Sequence, residues 1–183
     1  MKIHLVGAAG VGKTTLGNAL SEKLNVPYFD SDDYFWVDSE IPFTVRRDPK
    51  TRNAMLLKDL AAQKKWILGG SMVSWGDIWY TMFDLVVFIL IPYNVRMQRL
   101  HDREFERYGE DLYTDPERSA LYKKFMDWAK GYDDNTTNGR TLAVHNAWLQ
   151  KVNCQVLEIN GDTTTQKRIQ LITNTITANK IND

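Results

Sequence analysis

The sequence predicts an α/β fold in which a parallel sheet carries helices on both faces. Three observations point to it. Short β-branched or aromatic runs without clean polar alternation recur along the chain, as strands covered on both sides require. Amphipathic helical patterns separate those runs. The first run passes through a glycine-rich stretch directly into the first helical pattern.

Taken in order, Met1 to Val6 reads as a strand, with an apolar run too short for the core of a signal peptide. Thr14 to Leu24 sets Leu16, Leu20 and Leu24 at helical spacing. A second strand is predicted over Val26 to Asp30, and Arg52 to Ala62 repeats apolar residues at Met55, Leu56, Leu60 and Ala61. Further strands follow at Trp66 to Leu68, Leu85 to Ile91 and Val156 to Ile159. The longest apolar run, Leu85 to Pro92, falls well short of the ~20 residues that cross a bilayer, so no membrane partner is expected. Tyr108 to Asp115 and Tyr132 to Gly139 are turn-rich breaks around a helical segment and are expected to bound mobile elements. His145, Trp148 and Cys154 fall on or near a helix beneath the last strand, where His145 reads as structural.

A chain of 183 residues, 43% of them hydrophobic and 11% aromatic, allows one domain over 1–183 with a substantial core. Twenty-three basic residues balance twenty-three acidic ones, so bulk charge draws the chain neither to nucleic acid nor to an anionic membrane. The single Cys154 excludes an internal disulfide and a multi-thiolate metal site, which suits a cytoplasmic setting. Oligomeric state stays open.

The most specific signal is Gly7, Ala8, Ala9, Gly10, Val11, Gly12, Lys13, Thr14, which satisfies G-x-x-x-x-G-K-[ST] between a strand and a helix. Glycines let backbone N–H groups curl around a polyphosphate, and the following helix aims its positive dipole end at the same anion. Lys13 is expected to reach the β- and γ-phosphates of ATP, Thr14 to place its hydroxyl on Mg²⁺, and Thr15 to bond another phosphate oxygen. The plain alternative is a glycine turn entering a helix.

Asp30, Asp32 and Asp33 stand at the carboxyl end of the second strand, the edge where open α/β sheets bind ligands. Asp30 can hold Mg²⁺ through water and Asp32 can accept a proton from an acceptor hydroxyl, although helix capping explains such residues too. Arg46, Arg47 and Arg52 follow, and Arg46 or Arg52 can grip an anionic acceptor. Gly69, Gly70 and Ser71 end the third strand, where missing side chains permit close substrate approach, and Trp75 presents a flat ring. Arg96, Arg99, Arg103 and Arg107 recur at helical spacing as an arginine stripe, with Arg99 and Arg103 the preferred catalytic members. Asp102, Glu106 and Glu110 each follow an arginine by three residues, so a solvated ion-pair ladder is the bland alternative. Gly161, in the turn after the last strand, can cradle the adenine edge, or simply turn the chain.

Together, the phosphate loop, Asp30-Ser31-Asp32, Gly69-Gly70-Ser71, the run Arg99 to Arg103 and Ile159-Asn160-Gly161 resemble the P-loop kinases of the adenylate kinase and shikimate kinase type. The resemblance implies a three-layer fold with a five-stranded parallel sheet in order 2-3-1-4-5, an acceptor-binding insertion at about 31–62 and a helical lid at about 96–140. It implies an ATP-dependent kinase whose partners are a nucleoside triphosphate and a small-molecule acceptor of nucleotide type. A hydroxyl-directed kinase acting on a shikimate-like, sugar or antibiotic acceptor is the alternative, and a nucleotide sensor without transfer activity is a further one.

Overall fold

The computed structural model describes residues 1–181. Five strands form one all-parallel sheet: β1 (Lys2–Gly7), β2 (Tyr28–Asp30), β3 (Trp66–Gly69), β4 (Leu85–Leu90) and β5 (Gln155–Asn160). Their order is β2-β3-β1-β4-β5, with helices on both sides, as the P-loop kinase fold requires. In register, Leu5 sits beside Gly69 on one flank and Val87 on the other. The strands β1, β2 and β3 therefore deliver their carboxyl ends to one edge.

Eight helices connect and follow the strands among the described residues: α1 (Lys13–Leu24), α2 (Ser31–Phe35), α3 (Pro49–Ala61), α4 (Tyr93–Tyr108), α5 (Asp111–Thr114), α6 (Pro116–Lys130), α7 (Leu142–Leu149) and α8 (Thr165–Ile181). A 3₁₀ turn spans Asp77–Tyr80. The third helix starts three residues before Arg52 because Asp48 caps it, its carboxylate accepting from Thr51 N, and Pro49 occupies a first-turn position where no N–H is needed.

Two apolar layers hold the sheet. On one face Ile3, Leu5, Ile67, Val87 and Ile89 pack with Leu16 and Leu20 of α1 and Ile172 of α8. On the other, Val6, Trp66, Leu68, Val86 and Phe88 pack with Leu56 and Leu60 of α3, Trp79 of the 3₁₀ turn and Trp148 of α7. Complete burial of a side chain such as Leu16 or Phe88 contributes about 1.5–3 kcal/mol. The inner strands β1, β3 and β4, covered on both faces, carry near-continuous apolar sequence. No helix among the described residues is long and apolar enough to cross a membrane.

The segment between β2 and β3 holds α2, a loop pinned by a short antiparallel bridge between Trp36 and Arg46, and α3. Between β4 and β5 lie α4, α5, α6 and α7. The first turn-rich break contains the one-turn helix α5, and the second forms the loop leading into α7.

Candidate active site

The phosphate loop owes its shape to glycine at two positions in particular. Gly10 and Gly12 have φ of 85° and 87°, the left-handed region open to glycine at little cost. A Cβ on Gly10 would also strike the Arg96 carbonyl and the Leu100 side chain, so the loop passes directly beneath α4. Val11 is buried with Ala8 in the core, which leaves main chain facing the site, and Ala9 sits partly exposed beside them. Gly7 ends β1, Thr14 and Thr15 lie exposed at the start of α1, and Gly12 is the N-cap.

Lys13 crosses this loop and donates to the carbonyls of Gly7 at 3.0 Å and Ala8 at 2.8 Å. Burial pulls its ammonium down to about 8, against the opposing pull of Asp32 and Asp30, while Arg140 and Arg103 add to the depression. Lys13 thus shares one electrostatic field with both aspartates and both arginines. A partly buried cation at the mouth of this loop is a strong partner for an incoming anion.

Asp30 N-caps α2 by accepting from Asp32 N, and its Oδ2 accepts from the hydroxyls of Thr14 and Tyr28, each at 3.0 Å. The Thr14 hydroxyl and a carboxylate are therefore adjacent, an oxygen-rich pair suited to a hard cation that keeps several waters. Among the described residues no three His, Cys, Asp or Glu side chains cluster as a metal site. Phosphate oxygens and water would have to complete the coordination of Mg²⁺, which agrees with the donor set present.

Asp32 is half-exposed overall, yet its Oδ1 is closed off from solvent and makes no hydrogen bond among the described residues. Burial raises its pKa above the usual carboxylate range, with Arg140, Lys13 and Arg103 pulling the other way. Asp33 is exposed, and partial burial together with Asp30 and Asp32 raises it too.

Three guanidiniums surround the Phe35 ring: Arg46 at 5.8 Å, Arg52 at 5.2 Å and Arg140 at 5.5 Å. Arg52 is 7% exposed, stacks on Trp75 at 4.1 Å and donates to the Ser74 carbonyl. Burial lowers its pKa, as does Arg140, with Asp48 pulling the other way. Trp75 is buried beneath Arg52, so its face is taken by protein. Arg47 has a scaffolding position, donating to the Tyr34 and Trp36 carbonyls.

The turn after β3 is filled from within. A side chain on Gly69 would collide with Tyr28 and one on Gly70 with Ser31, so these glycines make room for protein groups. Ser71 is buried with its hydroxyl 3.0 Å from His145 Nε2, and Tyr132 OH lies 2.7 Å from His145 Nδ1. Burial drives the His145 pKa to about 3, so the imidazole is neutral near pH 7.

On α4 the arginine stripe divides. Arg96 is fully buried, paired with Asp133 and donating to the Ala129 carbonyl, so it ties α4 to the end of α6. Arg99 pairs with Asp162, beside Gly161, whose own N–H donates to the Leu90 carbonyl. Arg103 and Arg107 share the Glu104 carboxylate, and Arg107 also lies over Phe43 of the insertion. Arg103 still acts on Lys13 and Asp32 through space.

Two basic residues of the site escaped the sequence reading. Arg140 comes from the loop before α7 and ends 3.9 Å from Asp32. Arg168 reaches from α8 to the Val11 carbonyl at 2.7 Å. Only Arg168 left a trace in sequence: it shares helical spacing with the apolar Ile172 and Ile176.

A family model described as AAA domain matches residues 3–120. The uncharacterized protein YqaC of Bacillus subtilis is 39% identical over 177 residues, covering 97% of this chain and 98% of that protein. Shikimate kinase of Acinetobacter baumannii is 28% identical over 109 residues, which span 54% of this chain and 61% of that enzyme. The structure of shikimate kinase from Acinetobacter baumannii in complex with shikimate gives a TM-score of 0.54 at 20% identity, over 98% of this chain and 94% of that one. Deoxyadenosine kinase from M. mycoides with bound dATP gives 0.58 at 16% identity, over 97% and 100%.

Proposed function

The chain belongs to the AAA domain family, as a P-loop protein of the nucleoside monophosphate kinase and shikimate kinase-like type, and from that premise we propose that it transfers the γ-phosphoryl group of Mg-ATP to a hydroxyl of a small anionic acceptor. The observation that carries this reading is Asp32: a carboxylate beside Lys13 with a solvent-shielded oxygen, no hydrogen bond to that oxygen and a raised pKa.

The donor end follows from the loop. Backbone N–H groups of Gly7 to Thr15 hold the phosphates, and Lys13 leaves the Gly7 and Ala8 carbonyls for the β- and γ-oxygens. Thr14 and Asp30 would hold Mg²⁺, which supplies charge neutralisation across the β- and γ-phosphates when bound. Arg103 and Arg99, released from Glu104 and Asp162, stabilise charge on the transferred group.

At the acceptor end, Asp32 takes the hydroxyl proton as the new oxygen–phosphorus bond forms and the bond to the ADP leaving oxygen breaks. Arg46 and Arg52 supply an anion site, and Arg140 joins it to that carboxylate. The acceptor therefore has a hydroxyl at one end and a negative group at the other. The name of one relative agrees with such an acceptor class, shikimate being a hydroxy acid, while deoxyadenosine, named with another, shares only the hydroxyl. A nucleotide acceptor is the second reading, favoured by the same three guanidiniums, which suit a phosphate. The lone thiol Cys154 and the use of ATP fit a cytoplasmic enzyme.

Acceptor-dependent ADP formation over a panel of hydroxy acids, polyols, nucleosides and nucleoside monophosphates tests both readings, with ³¹P NMR identifying the product. Turnover only with a monophosphate removes the hydroxyl reading. Absence of any Mg-ATP binding removes the kinase reading altogether.

A further inference from the structure

Arg168 stands behind the phosphate loop with no part in the chemistry so far described. Its side chain is 3% exposed, Nη1 donates to the Val11 carbonyl at 2.7 Å, and Nε donates to Thr163 Oγ1 at 3.1 Å. Its remaining arm, Nη2, has no hydrogen-bond partner among the described residues. Asp162, the acid that acts on it through space, is already paired with Arg99. Burial accordingly lowers its pKa.

Such a guanidinium is an expensive way to fill space. The neighbouring positions on the same face of α8, Ile172 and Ile176, are apolar, and a Met or Leu would pack there without desolvating a charge. What Arg168 contributes in particular is a grip on one carbonyl.

That carbonyl belongs to the peptide joining Val11 to Gly12. The bond is trans, so its C=O and N–H point in opposite directions. With the oxygen held on the α8 side, the Gly12 N–H points away from Arg168. Gly12, at φ 87°, and Gly10, at φ 85°, give the loop its nest of converging N–H groups. The same glycine freedom makes rotation of the 11–12 peptide cheap. Rotation would turn a carbonyl oxygen toward the polyphosphate in place of a donor. A loop built on glycine needs an external lock at this bond.

We infer that Arg168 is a positioning residue that fixes the Val11–Gly12 peptide with its N–H toward the bound polyphosphate, so that the C-terminal helix sets the phosphate affinity of the loop. This inference rests on the phosphate-binding reading of Gly7 to Thr15.

Calorimetry with Mg-ATP and with inorganic tripolyphosphate, on the full chain and on Arg168→Met and Arg168→Lys, tests it. Arg168→Met should weaken both ligands by tenfold or more, since the lost donor serves the phosphates and not the base. Arg168→Lys, whose ammonium can still donate to the carbonyl, should recover most of that loss. In ¹⁵N-labelled protein the downfield shift of the Gly12 amide proton on adding tripolyphosphate should shrink in the Met variant and return in the Lys variant. Arg168→Gln, a shorter donor, replaces Met if that variant does not fold, with the same expectation of weakened binding. Affinities within twofold of the parent in the Met or Gln variant overturn the inference. So does equal loss of affinity and thermal stability in the Met and Lys variants, which would make Arg168 a general packing element. Failure of the parent chain to bind either ligand would instead overturn the phosphate-binding reading itself.

Discussion

The Arg140 guanidinium lies 3.9 Å from the Asp32 carboxylate, joining the loop before α7 to the first turn of α2. It stacks on the same Phe35 ring as Arg52 and Arg46, so a single arginine links the proton acceptor to the anion site. Replacing Arg140 or Arg52 by Met should raise the acceptor KM by about 10- to 100-fold, the scale of one charge-assisted contact. The Kd for Mg-ATP should change little. Steady-state kinetics with the acceptor found by ADP formation, beside calorimetry of ATP, reads the two apart. An equal effect on both substrates would place these arginines outside the acceptor site.

Asp32→Asn separates catalysis from stability. With a hydroxyl acceptor, loss of the base should lower kcat by about 10²- to 10⁴-fold, while a phosphate acceptor needs no base and should keep most of its rate. Because the Asp32 pKa is raised, chiefly by burial, the acid limb of the kcat/KM profile should sit above the usual carboxylate range and vanish in the variant. The stability sign is opposite. Between the ordinary and the raised pKa the folded chain holds more protons than the unfolded one, so stability falls as pH rises through that window. Asp32→Asn should therefore raise Tm at pH 7. A lower Tm would mean that the Arg140 contact outweighs burial.

Sequence alone exposes what is local. Gly7 to Thr14 is contiguous, so motif and context are read together, and alternating strand and helix patterns carry the sheet. Boundaries follow finer rules: β2 begins at Tyr28 because Pro27 has no N–H to donate, although its carbonyl accepts from Ile67 N. The stripe Arg96, Arg99, Arg103 and Arg107 is a correct helical pattern, but which member is buried depends on Asp133 and Tyr132 beyond α6. Arg140 and Asp32 meet across more than a hundred residues of chain, and no local pattern reports such a meeting. Gly69 and Gly70 illustrate a different limit, since a missing side chain in sequence does not say whether Tyr28 or a substrate takes the space.

Lys13 should make nucleotide affinity depend on pH in the alkaline range. Its free-state pKa is about 8, and bound phosphate favours the charged ammonium, so binding raises that value. Affinity is then fully present below about pH 8 and declines as pH rises beyond it, by up to tenfold per unit. Calorimetry of Mg-ATP from pH 7 to 9.5 reads the slope, and Lys13→Met should bind more weakly with no such dependence. The same variant should lose turnover by several orders of magnitude with its fold intact. A flat profile in the parent would detach Lys13 from the phosphates.

Two buried histidines should govern acid stability. His4 donates from Nδ1 to the Leu68 carbonyl and stacks on Phe83, and His145 sits between Ser71 and Tyr132. Burial lowers both to about 3 from an ordinary value near 6.5. The unfolded chain binds protons there first, so stability is fully present above about pH 6.5 and is lost as pH falls toward 3, by on the order of a few kcal/mol per histidine. His145→Gln should flatten the fall of Tm between pH 7 and 4. An unchanged slope would assign acid unfolding to other groups.

Gly17→Ala runs against helix propensity. In an exposed helix interior this change stabilises by about 1 kcal/mol. Here a Cβ on Gly17 would enter the Tyr28 ring, which also runs close against Gly69. Overpacking of this kind costs roughly 1–3 kcal/mol, so a net fall in Tm of a few degrees is expected. The displacement also has a functional consequence. Tyr28 OH donates to Asp30 Oδ2, the oxygen that receives the Thr14 hydroxyl, so moving the ring disturbs the pair proposed to hold Mg²⁺. Gly17→Ala should raise the magnesium concentration needed for half-maximal turnover, and adding Tyr28→Leu should restore Tm by freeing space while leaving the magnesium requirement high, because the phenol is gone. If both defects recover together, Tyr28 acts on the site through packing alone.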